Sequence, residues 1–125
     1  MTPEQRIKRA ILLDAAAEGC QLPDDVNASN VDELFESRNS DGELQDYIYE
    51  MRSGKEETNI TAPLARHYES KSVAANLDGV WVGWTYWYGG GKHGEPEAID
   101  WMEEAYELTC VEEEKTVTVR TFTQV

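Results

Sequence analysis

VWVGWTYWYGGGKHGEP, residues 80–96, sets three of the chain's four tryptophans and two of its six tyrosines ahead of a triple glycine, a lysine and one of only two histidines. At the two-residue period of a strand, Val80, Val82, Trp84, Tyr86 and Tyr88 share one face, while Trp81, Thr85 and Trp87 share the other. Both faces carry large rings. A sheet covered on one side by its own helix uses only one such face, so the second is expected to meet another domain, a partner or a ligand. Just upstream, Asp78-Gly79 is a two-residue hairpin signal, which makes residues 66–77 the antiparallel neighbour of this strand.

Downstream, residues 89–94 read as a loop, and Glu95-Pro96-Glu97 as the opening of a helix that runs to about Glu107. On a helical wheel Ala98, Ile99, Trp101, Met102, Ala105 and Tyr106 share one face, and Glu97, Asp100, Glu103, Glu104 and Glu107 share the opposite one. That segregation predicts a helix lying on the sheet, with Trp101 against Val82, Trp84 or Tyr86. Residues 108–112 and 116–122, joined by Glu113-Glu114-Lys115, are rich in threonine and valine and predict a second hairpin. Residues 66–125 thus read as ββαββ.

Ahead of this lies a helical region. Thr2-Pro3-Glu4-Gln5 carries an N-cap, a proline at the first helical position and a glutamine placed to close a capping box, with Gly19 as the stop. The apolar residues of this helix, Ile7, Ala10, Ile11, Leu12, Leu13 and Ala15 to Ala17, surround much of its axis, which implies more than one neighbour or a self-association face. Residues 27–30 offer a cap for a helix over 31–37. Asp41 caps a third ending near Gly54, whose Leu44, Tyr47, Ile48 and Met51 form a core-facing stripe. The fold class expected is α+β: a helical module over residues 1–54, a polar linker over 55–65, and an antiparallel ββαββ sheet covered by one helix over 66–125. At 125 residues the two modules are short enough to share one core.

Twenty-five acidic and eleven basic residues give a net charge of −14, spread over both halves of the chain, and residues 95–114 hold nine acids and no base. Such a balance opposes direct binding to nucleic acid or to an anionic membrane, since lysine and arginine must meet the phosphates. It suits solubility, a basic protein partner, or imitation of nucleic acid. The longest apolar runs, residues 10–17 and 80–88, are far shorter than the roughly 20 residues a membrane span needs. The charged start MTPEQRIKRA lacks the apolar segment of a signal peptide. A cytoplasmic protein is therefore expected, with Cys20 and Cys110 as reduced thiols.

The GGGKHG loop between a strand and a predicted helix is the setting in which backbone amides cradle phosphate. The match is poor: the Walker spacing is missing, no Ser or Thr follows Lys92, and Glu95, Glu97 and Asp100 repel an anion there. Lys92 and His93 are better read as loop contacts to an anion on a partner. His93 with Glu95 or Asp100 makes a thin acid–base or metal set, because only His67 and His93 exist and no paired Cys/His spacing is present. Neither a hydrolase nor a metalloprotease motif occurs, so no enzyme activity, metal or cofactor is expected.

WVGWTYWYGGGKHGEPEAIDWMEEAYEL (residues 81–108), with the preceding HYESKSVAA, the following EEEKTVTVRTF and the helical start MTPEQRIKRAILLDAAAEG, resembles small proteins among the accessory genes of tailed phages and prophages. That resemblance implies a context, inhibition or modulation of a host protein inside the host cytoplasm, and no catalytic or binding residue. The function expected is a non-catalytic acidic binding protein. Glu97, Asp100, Glu104 and Glu107 would meet a basic surface, such as that of a nucleic-acid-binding host protein, while Trp81 and Trp87 provide anchors. The alternative is a small-ligand binder using strand 80–88 and loop 89–94.

Overall fold

The computed structural model describes all 125 residues apart from the side chain of His93. Three helices, α1 (Pro3–Ala17), α2 (Val31–Asn39) and α3 (Gln45–Arg52), precede a four-stranded antiparallel sheet. Its strands, β1 (Glu56–Glu57), β2 (Glu69–Leu77), β3 (Val80–Tyr88) and β4 (Tyr106–Leu108), lie side by side in chain order. The fold is α+β. Among the described residues no helix is long and apolar enough to cross a membrane.

α1 starts as its sequence dictates. Thr2 accepts from the Gln5 amide while the Gln5 side chain accepts from the Thr2 amide, so two otherwise orphaned donors are satisfied reciprocally. Ile7, Ile11, Leu12 and Ala15 are buried, whereas Leu13 points outward. Lys8 ties α1 to α2. Burial works against its charge, but contacts to Glu4 (3.1 Å) and Asp32 (3.2 Å) more than offset this and hold the ammonium above its ordinary range. α1 also reaches α3, where the Tyr47 hydroxyl donates to the Glu18 carboxylate.

β2 and β3 pair along their whole length, from Leu77↔Val80 to Glu69↔Tyr88. Asp78 and Gly79 both take positive φ, 55° and 84°, the mirror-image turn whose twist matches that of the flanking strands. One face of this hairpin gives the core Val73, Ala75, Val82 and Trp84, which join Ile7, Ile11, Leu12, Val31, Leu44 and Met51 of the helical region in one continuous cluster. Helices and sheet therefore share a core. The 55–65 stretch contributes β1, which extends the sheet through Glu56↔Ala74 and Glu57↔Val73.

Two expectations fail after Tyr88. Residues 95–107 form no α-helix: a single 3-10 turn, Pro96–Ala98, gives way to extended backbone at Ile99, a turn, and then β4. Five carboxylates at spacings of three and four with no base between them repel one another on a helix surface. The alternative path seats Trp101 in the core, 6% exposed, its ring 5.3 Å from that of Trp84. It also pairs Tyr106–Leu108 with Trp81–Gly83, where the absent side chain of Gly83 makes room for Leu108 and Tyr106. The second hairpin is missing as well. Residues 109–125 are exposed and form no strand, since a lone ribbon with no apolar surface to lie on is marginal at best. The topology is thus ββββ in place of ββαββ.

Trp101→Ala is expected to cost about 3–5 kcal/mol in chemical denaturation, as for other buried large-to-small changes; a loss under about 1 kcal/mol would remove Trp101 from the core. The Tyr47 phenol, held neutral by its bond to Glu18, has its pKa pushed up to about 12. This contact's stability is full below the ordinary tyrosine range near 10 and is lost as pH rises from there through about 12. An absorbance titration of phenolate should show one late tyrosine that Glu18→Ala returns to the ordinary range.

Candidate functional site

The four acids expected on one helix face lie on different backbone forms. Glu97 sits in the 3-10 turn, Asp100 on irregular backbone, Glu104 in the following turn and Glu107 in β4, all exposed. Glu97 and Asp100 nevertheless meet. With Glu103, Glu4 and Glu36 they line a shallow cavity of about 260 Å³ beside Trp101, across the flank of α1 and α2. Lys8 is the cation at this cavity, and it is already engaged by Glu4 and Asp32. The carboxylates of Glu36, Glu97, Asp100 and Glu103 have no cation within 4 Å among the described residues.

Trp81 and Trp87 are both half-buried on β3. Trp81 lines a groove of about 400 Å³ with Ile60, Ala74, Leu108 and Val111, on the sheet face away from the helices. The Trp87 carbonyl is occupied, accepting from Arg52 Nη1 at 2.6 Å. Gly89, Gly90 and Gly91 all take positive φ, and a Cβ at Gly90 would come within 2.8 Å of the Tyr68 ring, so the loop needs its glycines to pack on Tyr68. Lys92 is exposed at its tip, and the side chain of His93 lies outside the described residues.

A second place escapes the sequence reading. Arg52, at the end of α3, is only 5% exposed, and its guanidinium lies between two tyrosine rings, 5.4 Å from Tyr49 and 4.9 Å from Tyr86. Its Nε is buried with no hydrogen-bond partner among the described residues. The residues around it, Tyr49, Ser53, Gly54, Lys55 and Tyr86, line a cleft of about 530 Å³. The adjoining hollow adds Lys71, whose ammonium lies 5.2 Å over Tyr88, itself stacked on Tyr86. The signal was present in outline: Arg52 continues the four-residue step Leu44, Ile48, placing a cation on the core-facing stripe of α3.

The described residues contain no cluster of three or more His, Cys, Asp or Glu that could hold a metal ion. Cys20 is half-buried and Cys110 exposed, both free. Compared with protein families, curated proteins and solved structures, the chain shows no match, so function has to be argued from its geometry.

Gly54 shapes the cleft. It takes φ of +73°, and a Cβ there would lie 2.5 Å from Val73 Cβ. Gly54→Ala should therefore cost more than the roughly 1–2 kcal/mol of left-handed strain alone, read from denaturation midpoints; an unchanged midpoint would show that the α3–β1 turn is not held as described.

Proposed function

We propose that this chain is a non-catalytic acidic binding protein that docks on a basic surface of another protein. The observation that carries this reading is the cavity beside Trp101, where Glu36, Glu97, Asp100 and Glu103 stand without cations and Lys8 is already taken. Packing like charges around one hollow costs stability in the free protein, and a cationic partner reverses the sign of that cost. Glu104 and Glu107, exposed outside the cavity, extend the negative field and steer the encounter. Lys92 at the loop tip is a separate contact, to an anion on the same partner.

The exposed C-terminal residues supply what the carboxylates lack. Val117, Val119 and Phe122 are 75%, 83% and 87% exposed, within a threonine- and valine-rich run that suits strand addition to a partner. With Trp81 in its groove and the half-buried Trp87 they provide apolar anchors separate from the charged cavity. In the phage setting that the resemblance implies, the partner is a host protein, cytoplasmic, whose basic surface ordinarily meets nucleic acid, and the carboxylates take the place of phosphates.

The test is capture from a host lysate by three forms of the protein: native, Glu97→Lys with Asp100→Lys, and a chain ended at Val111. Native protein should retain a discrete basic partner at low salt and release it at high salt. Charge reversal should weaken retention at least about tenfold, and truncation should weaken it with little change in melting temperature, because residues 112–125 are exposed and form no strand. Equal retention by all three forms would overturn the reading. Elution of the native protein as a stable dimer would assign the exposed C-terminal residues to self-association instead.

A further inference from the structure

We propose that the cleft at the end of α3 is a binding site for a small planar anion, an aromatic ring carrying a carboxylate or phosphate. Arg52 is the reason. An arginine with 5% of its surface exposed is expected to face a carboxylate, yet none lies within 4 Å among the described residues. Its compensation is partial: Nη1 donates to the Trp87 carbonyl, the rings of Tyr49 and Tyr86 flank the plane, and Nε has no acceptor. An anion in the cleft would supply the missing charge.

The surroundings define which anion. Of the chain's eleven basic residues, Arg52, Lys55 and Lys71 gather around this one hollow and its neighbour. Lys55 is exposed at the rim and Lys71 half-buried, positions from which an ammonium can close on a bound oxyanion. The Tyr49 and Tyr86 rings that flank Arg52 form walls of the cleft, and Tyr88 backs Tyr86 with centroids 5.3 Å apart, so the ligand body these walls suit is a ring. A cleft of about 530 Å³ takes a one- or two-ring molecule. Glu50, Glu56 and Glu57 also border the two hollows, and with the net charge of −14 they disfavour a polyanion such as nucleic acid. One localised anionic group on an aromatic body satisfies both constraints. This inference stands apart from the protein-docking reading, since the cleft and the carboxylate cavity have no residue in common.

Phenyl phosphate, benzoate, cyclohexanecarboxylate and inorganic phosphate serve as probes, titrated into the full chain by calorimetry and by the guanidinium and aromatic resonances of Arg52, Tyr49 and Tyr86. The two aromatic anions should bind saturably and shift those resonances, while cyclohexanecarboxylate and inorganic phosphate bind at least about tenfold more weakly. Lys55→Ala with Lys71→Ala should lower affinity for phenyl phosphate about tenfold without changing the melting temperature, and Arg52→Lys should lower it further. If Arg52→Lys fails to fold, the lysine pair and the resonance map decide. Absence of saturable binding, binding that ignores the lysine pair, or shifts confined to residues outside the cleft would overturn the proposal and leave Arg52 as a staple between α3 and β3.

Discussion

The Trp84 indole is where the helical region and the sheet are joined. Its ring is wholly buried, its Nε1 donates to the Arg52 carbonyl at 2.9 Å, and its face meets Trp101 5.3 Å away. A carbonyl in the last turn of a helix has no intrahelical partner, and a buried indole N–H needs an acceptor, so each satisfies the other. The same residue that offers its carbonyl to Trp84 sends its guanidinium to the Trp87 carbonyl on the same strand. α3 and β3 are thereby bonded twice, once in each direction.

That junction explains why the chain after Tyr88 departs from its own periodicity. Residues 98–106 carry an apolar stripe at helical spacing, yet what Trp101 gains comes from reaching Trp84, and what Tyr106 and Leu108 gain comes from covering Gly83 at an open strand edge. Periodicity records which side chains want burial. It does not record where the remaining vacancy in the core lies, and here a bent, non-helical path fills it while moving five mutually repelling carboxylates off a common helix surface.

Local rules carried the remainder. The Thr2/Gln5 capping box, the Asp78-Gly79 turn and the strict alternation through Val82 and Trp84 each depend on residues within a few positions, and they were legible to within a residue or two. The third helix begins later than the cap at Asp41 suggested, because residues 41–44 spend themselves in turns before Gln45. The C-terminal hairpin was read from Thr and Val content alone, and content does not provide a surface to pack on. Of the candidate site, Glu97 and Asp100 do converge, though by tertiary folding rather than along a helix, and they are joined by Glu36 and Glu4 from elements far away in sequence. Arg52 was hidden for the same reason: its tyrosine neighbours are three residues before it and thirty-four after it, so a cation on an apolar stripe acquires meaning only when β3 is placed beside α3.

Both functional readings rest on groups whose charge the fold leaves uncompensated, negative beside Trp101 and positive at the end of α3, and both stand on the α3–β3 junction that holds these places apart. Exchange of the tryptophan indole protons with solvent, followed by NMR, reports on that junction directly. The account predicts that the Trp84 indole proton exchanges only as slowly as the amides at the centre of β3, through global unfolding, while those of the half-buried Trp81 and Trp87 exchange orders of magnitude faster. Exchange of Trp84 at the rate of Trp81 and Trp87 would contradict it, because the helices and the sheet would then part without the molecule unfolding.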